Sequence, residues 1–127
     1  MTETVVDASA VLALLNAEPG SAAVAAALAG AAISAVNLSE VAAKLADIGM
    51  PAAEARAVVE ALGLDVYVFD DQAAWQAAAL RRSTRHLGLS FGDRACLALA
   101  LRLSRPVLTT DRAWQRLKLG VRVQVVR

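Results

Sequence analysis

The fold is decided by the stretch Thr4-Val5-Val6-Asp7-Ala8-Ser9-Ala10-Val11-Leu12-Ala13-Leu14-Leu15, in which an apolar run ends in a carboxylate and a helical pattern follows. The β-branched residues before Asp7 predict a short buried strand, and Ser9 is the predicted N-cap of the helix. Open parallel sheets keep their ligand crevice at the carboxyl ends of the strands. Because an acid at that position gains nothing from core packing, Asp7 indicates a functional site.

The rest of the chain alternates short apolar runs with helical patterns. Further strands are predicted over residues 31–36, 65–69, 106–109 and 121–126. Further helices are predicted to begin at Ser21, Asn37, Pro51, Asp70 or Asp71, Ser90 and Asp111. The resulting order, β-α-α-β-α-α-β-α-α-β-α-β, predicts a three-layer α/β/α domain with a central, mainly parallel sheet.

Composition limits the class of protein. A chain of 127 residues with a 57% apolar fraction predicts a single folded domain over residues 1–127. Charged residues interrupt the apolar stretches before they reach the roughly 18 residues of a membrane span, and Met1-Thr2-Glu3 lacks the basic flank of a signal peptide. Cys96 is the single cysteine, which excludes an internal disulfide and indicates a buried thiol. We therefore expect a cytoplasmic protein without a membrane segment.

Three further acids occupy positions comparable to that of Asp7. Asp111 follows an apolar strand, as Asp7 does. Glu40 and Asp93 lie in the predicted first turns of helices that begin beside strand ends, each three residues after a candidate N-cap. Each acid taken alone could be a helix cap or a turn residue, and a capping acid is worth about 0.3–1 kcal/mol. Taken together, the four acids predict a cluster of carboxylates at one edge of the sheet.

Electrostatics shows what such a cluster requires. Two carboxylates about 4 Å apart repel each other by roughly 4 kcal/mol at an effective dielectric constant near 20. A group of several is tolerated only when protons or cations are shared among them. Hard oxygen ligands without cysteine or histidine select Mg²⁺ or Mn²⁺.

Four segments of the chain resemble the motifs of PIN-domain ribonucleases and, more closely, those of the VapC toxins of bacterial type II toxin–antitoxin systems. These segments are Val5-Val6-Asp7-Ala8-Ser9-Ala10, Val36-Asn37-Leu38-Ser39-Glu40-Val41, Leu89-Ser90-Phe91-Gly92-Asp93-Arg94-Ala95-Cys96-Leu97-Ala98-Leu99-Ala100 and Val107-Leu108-Thr109-Thr110-Asp111-Arg112. They follow the order and spacing of that family, and the resemblance extends over nearly the whole chain. The resemblance implies a three-layer PIN-like fold for the predicted domain.

The resemblance also implies roles for particular residues and a reaction. The catalytic and metal-binding residues that it implies are Asp7, Glu40, Asp93 and Asp111, with Mg²⁺ or Mn²⁺ as the cofactor. Ser9 and Thr109 match hydroxyl positions that support the acids through hydrogen bonds. The implied reaction is hydrolysis of RNA phosphodiester bonds by a metal-activated water, without a covalent enzyme intermediate.

The partners that the resemblance implies are an RNA substrate, a cognate VapB-like antitoxin protein and a second copy of the chain in a homodimer. The tail of the antitoxin is expected to lie in an apolar groove, with a basic side chain reaching the acids. The apolar helical residues 11–15 and 24–28 are our candidates for that groove.

Basic and aromatic residues provide weaker indications. The net charge of +1 gives no overall field that would attract nucleic acid. The candidates for contact with RNA phosphates are Arg81, Arg82, Arg85, Arg94 and Arg112. The first three could instead form an ordinary solvated helix end, whereas Arg94 and Arg112 each follow an acid and could balance its charge. His86 is expected in an exposed loop. Trp75 and Trp114 could stack on bases, but we expect both to fill volume in a core that is rich in alanine.

Two other functions remain open from the residues. A phosphatase of the haloacid dehalogenase type would use Asp7 as nucleophile, but it needs an acid two residues later, where this chain has Ser9. A non-catalytic regulator that binds an antitoxin would use the acids only to hold a basic tail. Serine–histidine chemistry between Ser90 and His86 lacks an orienting acid and an oxyanion hole.

Overall fold

The structure is a computed structural model that describes residues 3–126. Its strands are β1 Val5–Val6, β2 Ala32–Ser34, β3 Asp65–Tyr67, β4 Val107–Thr109 and β5 Val123–Val125. Its α-helices are α1 Ala8–Leu15, α2 Ser21–Ala27, α3 Ala35–Asp47, α4 Ala52–Glu60, α5 Asp71–Ala79, α6 Arg81–Thr84 and α7 Phe91–Leu103. Short 3₁₀ turns occupy Arg85–Leu87 and Arg112–Arg116.

The five strands form one parallel sheet in the order β3-β2-β1-β4-β5. In the centre of the sheet, Val5 of β1 pairs with Ala32 of β2 and with Val107 of β4. Because every pair is parallel, all strands end at the same edge, and the residue after β1 lies in the middle of that edge. The predicted three-layer α/β/α architecture is confirmed.

Successive residues of the central strands point to opposite faces of the sheet and build two cores. Val6 and Leu108 pack on one face, beneath α1 to α4. Val5 and Val107 pack on the other face with Trp114 and with residues of α7. Cys96 and Trp114 are both fully buried, as the sequence predicts. The sheet is therefore a rigid support for the residues that follow its strands.

Trp75 corrects one expectation, since 78% of this residue is exposed. Helix α5 turns Ala77, which is buried, toward the core. Trp75 precedes Ala77 by two positions, which is about 200° around a helix, and so it points away from the core. Helix α5 buries alanine and presents its large aromatic residue to solvent.

The first helices begin earlier than the sequence predicts. The N-cap of α1 is Asp7, whose carboxylate accepts a hydrogen bond from the backbone N–H of Ala10, and Ser9 lies inside the helix. The N-cap of α3 is Ser34 rather than Asn37. The predicted second strand therefore ends two residues early, and Asn37 occupies the first turn of α3 with Glu40 in the next turn.

Other helix starts agree more closely with the prediction. Asp70 caps α5, and Ser90 forms a reciprocal capping box with Asp93 at the start of α7. Asp111 caps its short helix, which is a 3₁₀ turn. Helix α2 is the exception, because Gly20 precedes it with a φ of 96° and provides no side-chain cap.

Within residues 3–126, none of the helices combines the length and apolar character needed to cross a membrane. Met1 and Thr2, which belong to the segment without a signal-peptide pattern, lie outside the described residues.

Candidate acidic active site

Asp7 is the central acid of the site and is only 4% exposed. Its Oδ1 accepts hydrogen bonds from the Ser9 hydroxyl at 2.7 Å and from the Ala10 backbone N–H at 2.9 Å. Its Oδ2 accepts a hydrogen bond from the Thr109 hydroxyl at 2.5 Å. The carboxylate therefore has a fixed orientation at the carboxyl end of β1.

Burial dominates the titration of this carboxylate. It raises the pKa of Asp7 to about 6, although the hydrogen bonds from Thr109, Ala10 and Ser9 act in the opposite direction. The charge of Asp93 adds a smaller upward contribution to the pKa. A carboxyl group with this pKa takes up a proton more readily than an ordinary aspartate, and a nearby cation would stabilise its charged form.

The two hydroxyls also connect the ends of β1 and β4. Thr109 Oγ1 accepts a hydrogen bond from the Asp111 backbone N–H at 3.1 Å. Ser9 Oγ accepts one from the Thr110 backbone N–H at 3.1 Å. Ser9 and Thr109 therefore satisfy backbone groups of one segment while they donate to the carboxylate of the other.

Glu40 reaches the site from the second turn of α3 and lies against α7. Its Oε1 accepts a hydrogen bond from Asn37 Nδ2 at 2.8 Å. A Cβ placed on Gly92 would approach this oxygen to 2.5 Å, so the carboxylate fills the space that a side chain would occupy. The absence of a side chain at Gly92 is what allows Glu40 to lie against the first turn of α7.

Asn37 is a further candidate residue of the site, which the sequence predicts only as a helix cap. It is 1% exposed, and its Nδ2 donates to the backbone oxygen of Gly92 at 3.0 Å as well as to Glu40. Among the described residues its Oδ1 has no hydrogen-bond partner. The signal was present in the sequence, because Asn37 and Glu40 are three residues apart and such residues share a helix face.

Asp93 combines a structural bond with a place in the site. Its Oδ2 accepts a hydrogen bond from the Ser90 backbone N–H at 2.9 Å, and its own N–H donates to Ser90 Oγ at 3.2 Å. Its charge also acts on the carboxyl group of Asp7. The capping interpretation and the site interpretation of Asp93 are therefore compatible.

Cys96 shows that three of the acids lie around one region. Burial raises the pKa of this thiol well above its ordinary value, and the charges of Asp7, Asp93 and Glu40 raise it further, in that order. These acids come from β1, α7 and α3, which are far apart in sequence. Asp111 is more peripheral, since it is exposed and its Oδ1 accepts the Ala113 N–H at 2.9 Å.

The donor set fits a hard divalent cation in its chemistry. It consists of carboxylate oxygens, which are the ligands that such cations prefer, and a cation beside the buried Asp7 would offset the cost of burying its charge. Nowhere in residues 3–126 do three or more His, Cys, Asp or Glu side chains already form a group that could hold a metal ion. The acids share one edge of the sheet, but a shell of ligands would require movement of their side chains.

The five candidate arginines differ in their surroundings. Arg94 is engaged, because its Nη1 donates to the Ala77 backbone oxygen at 3.2 Å and its guanidinium carbon lies 6.0 Å from the centre of the Phe91 ring. The exposed members of the set are Arg81, Arg82, Arg85 and Arg112, and His86 is exposed as well.

An apolar groove lies between α3 and α4 rather than on α1 and α2. Its volume is about 760 Å³, and the residues that line it include Leu38, Ala42, Ala46, Met50, Val59 and Val66. Val11 and Val24, from the two helical segments expected to form a groove, are fully buried in the core. Leu12 of α1 lines a smaller cavity of about 400 Å³. Helices α1 and α2 pack against each other and contribute Val11 and Val24 to the core.

Comparisons with known proteins agree with this architecture. A chain of VapBC2 from Rickettsia felis bound to a DNA fragment from their promoter superposes with a TM-score of 0.74 at 14% identity, over 98% of both chains. A chain of DNA-bound VapBC from Salmonella typhimurium gives 0.73 at 21% identity, again over 98% of both chains.

VapBC-5 from Mycobacterium tuberculosis gives a TM-score of 0.62 at 23% identity, over 98% of this chain and 97% of that one. At these identities the likeness shows a shared fold. No curated protein matches the sequence significantly. The family model of the PIN domain matches residues 4–119, so the chain belongs to the PIN domain family.

Proposed function

We propose that the chain is a Mg²⁺- or Mn²⁺-dependent endoribonuclease and the toxin of a VapBC-type toxin–antitoxin module, with residues 1–127 forming one PIN domain in the cytoplasm. The observation that carries the proposal is the gathering of Asp7, Glu40 and Asp93 around one region at the carboxyl edge of the sheet. Membership of the PIN domain family supports nuclease chemistry at that edge.

The carboxylates provide the binding groups for a divalent cation. Asp7, Glu40 and Asp93 would hold it, and Asp111 would contribute from the periphery after its side chain turns. When bound there, Mg²⁺ or Mn²⁺ supplies the charge that lowers the pKa of a water and stabilises a phosphoryl oxyanion. The product of this hydrolysis is an RNA chain broken at one phosphodiester bond.

The neighbouring polar groups keep the acids in place. Ser9 and Thr109 fix both oxygens of Asp7, so that this carboxylate cannot rotate away from the edge. Asn37 holds Glu40 and ties it to the backbone of α7 through Gly92. A ligand set arranged in advance reduces the cost of organising the site when substrate arrives.

The same carboxylates make cleavage dependent on a cation. An RNA backbone that approached Asp7, Glu40 and Asp93 alone would be repelled, because both partners are negatively charged. The exposed Arg112, which directly follows Asp111, provides a positive charge at the periphery of the acidic site. We expect divalent cations to be required for the chemical step and to strengthen RNA binding.

The haloacid dehalogenase alternative is less well supported. Both oxygens of Asp7 accept hydrogen bonds, and the position two residues later provides the hydroxyl of Ser9 instead of a second acid. Membership of the PIN domain family also favours a nuclease over a phosphatase. The alternative of a non-catalytic regulator is decided by measuring cleavage.

The groove between α3 and α4 is our proposed docking site for the antitoxin, and the chain is proposed to form a homodimer. Solved structures with this fold include VapBC complexes, which supports a protein partner of the same kind. The floor of the groove is apolar, and Arg56 and Glu60 stand at its rim. This lining suits an amphipathic segment with leucine-like side chains inward and charges outward.

The experiment that tests the proposal uses purified chain, labelled single-stranded RNA and Mg²⁺ or Mn²⁺, with and without EDTA. We expect internal cleavage that stops when the metal is chelated. RNA that remains intact under every metal condition would favour the non-catalytic regulator.

A further inference from the structure

Two phenylalanine rings lie at the edge of the sheet that carries the acids. Phe69 follows β3 by two residues, and Phe91 is the first residue of α7. Their ring centres are 5.5 Å apart, and the ring planes are almost perpendicular at 87°. Since β3 is the neighbour of β2 in a parallel sheet, Phe69 lies at the same edge as the acids.

Phe91 belongs to the same helical turn as two residues of the acidic site. The next residue, Gly92, is the one against which the carboxylate of Glu40 lies. The residue after that is Asp93, whose charge acts on Asp7. Phe91 and Asp93 leave the first turn of α7 in different directions, so a base on the Phe91 ring would belong to a nucleotide neighbouring the one whose phosphate meets the acids.

The Phe91 ring is both held and accessible. Phe69 contacts it edge to face, and the guanidinium of Arg94 lies near it while bonding to the backbone of α5 at Ala77. Half of Phe91 nevertheless remains exposed. A ring that is already fixed binds a planar ligand with little loss of conformational entropy.

We propose that Phe91, supported by Phe69, is a stacking platform for an unpaired nucleobase of the RNA, beside the phosphate that the acids address. This inference rests on the proposed nuclease function and adds a subsite to it. Aromatic side chains commonly bind single-stranded RNA by stacking on its bases.

Charge favours a base as the occupant. The carboxylates of Asp7, Glu40 and Asp93 repel the RNA backbone, so this edge needs a source of affinity that does not depend on phosphate charge. The face of a nucleobase is uncharged and stacks on a ring whatever its sequence. An apolar protein segment has a much larger surface in the groove between α3 and α4.

The test measures binding separately from cleavage. Every protein carries Asp7→Asn to keep the RNA intact, and the probe is a fluorescein-labelled single-stranded RNA of mixed sequence in Mg²⁺, followed by fluorescence anisotropy. The variants are Phe91→Ala, Phe91→Leu and Phe91→Trp. The matched control is Leu101→Ala, which trims another exposed apolar residue of α7, ten positions away. Thermal unfolding of each variant shows that it is folded.

We expect Phe91→Ala to weaken RNA binding by about 5- to 150-fold, the range for loss of one stacked base. Phe91→Leu should lose most of the same affinity, because it keeps apolar volume without a ring. Phe91→Trp and Leu101→Ala should bind like the parent. An RNA that carries 2-aminopurine should lose fluorescence on binding to the parent and regain it with Phe91→Ala.

Several results would overturn the platform. They are unchanged RNA affinity in folded Phe91→Ala, full affinity in Phe91→Leu, an equal loss in Leu101→Ala, or weakened antitoxin binding with RNA binding intact. Absence of RNA binding by the parent would overturn it as well. The nuclease proposal is judged independently, by metal-dependent cleavage with the native chain.

Discussion

Thr109, at the end of β4, donates a hydrogen bond of 2.5 Å to Asp7, which follows β1. The two residues are 102 positions apart in sequence, and the parallel pairing of their strands brings them together. Thr109 also accepts the backbone N–H of Asp111. One hydroxyl therefore supports the central acid and the loop that carries a second acid.

Replacing Thr109 tests this support. Thr109→Val keeps the shape of the side chain but removes the donor to Asp7 and the acceptor for Asp111, which should cost about 1–3 kcal/mol of stability. The pKa of Asp7 should rise further, since the bond from Thr109 lowers it. We expect RNA cleavage to fall and Thr109→Ser to restore it. The measurements are urea unfolding, NMR titration of Asp7 and cleavage rates; an unchanged Asp7 titration would contradict this role.

Asp7 should also give the metal-free protein a characteristic dependence on pH. Its pKa rises on folding from 3.8 to about 6, so the folded state binds more protons between these values. The contribution of Asp7 to stability is therefore present below pH 3.8 and is lost as the pH rises through about 6. A rise of about two units corresponds to about 3 kcal/mol.

The matched comparison is Asp7→Asn, which cannot titrate. In EDTA, we expect the native chain to lose stability relative to this variant as the pH rises from 4 to 7, as measured by urea unfolding. Added Mg²⁺ should stabilise the native chain more than the variant. If the stability difference between the native chain and Asp7→Asn stays constant with pH, burial does not raise the pKa of Asp7.

Gly92 allows activity to be separated from stability. A Cβ in Gly92→Ala would lie within 2.5 Å of Glu40 Oε1, so the flexible carboxylate must move. Alanine is a better helix former than glycine by about 1 kcal/mol, so we expect stability to be kept or increased. RNA cleavage and Mn²⁺ affinity should both fall. In a Glu40→Ala background Gly92→Ala should have no further effect on activity, and an additional loss there would contradict the account.

Docking of the antitoxin in the groove between α3 and α4 can be tested by substituting exposed alanines of α3. Ala46 lines the groove, whereas Ala43 lies on α3 outside the lining, and both residues are exposed. Ala46→Glu places a charge in the apolar floor and should weaken co-purification with the cognate antitoxin. Ala43→Glu is the matched control and should leave the complex intact. If both variants co-purify with the antitoxin to the same extent, the antitoxin binds at another surface.

The parallel sheet and the edge that carries the acids follow from local patterns. Short β-branched runs alternate with helical spacings, and parallel strands place their carboxyl ends together. Ser90 and Asp93 form the capping box that their spacing predicts. Such patterns can be predicted from the sequence because the interacting residues are close to one another along the chain.

The errors occur where distant contacts decide the structure. Ser9 is not the cap of α1, because its hydroxyl donates to Asp7 and connects with Thr110 of another strand end. Asn37 is not the cap of α3, because Gly92 of α7 supplies the backbone oxygen that it binds. Trp75 could not be placed without knowing which face of α5 meets the core. Thr110, Gly92 and the core-facing side of α5 decide these outcomes, and the local spacing around Ser9, Asn37 and Trp75 specifies none of them.

In the proposed function, the acids at the carboxyl edge of the sheet carry metal-dependent RNA cleavage. The most direct measurement is the cleavage rate of a labelled single-stranded RNA in Mg²⁺ or EDTA by the native chain, Asp7→Asn and Asp93→Asn. Asp65→Asn is the control, because it removes an exposed acid at the opposite end of β3.

We expect EDTA to stop RNA cleavage by the native chain. The Asp7 and Asp93 variants should cleave more than about a hundredfold more slowly, because mutating even the residues that hydrogen-bond to metal ligands reduces activity by about 10- to 100-fold. Asp65→Asn should cleave like the native chain. Cleavage that survives EDTA, or full activity in folded Asp7→Asn and Asp93→Asn, would contradict the claim.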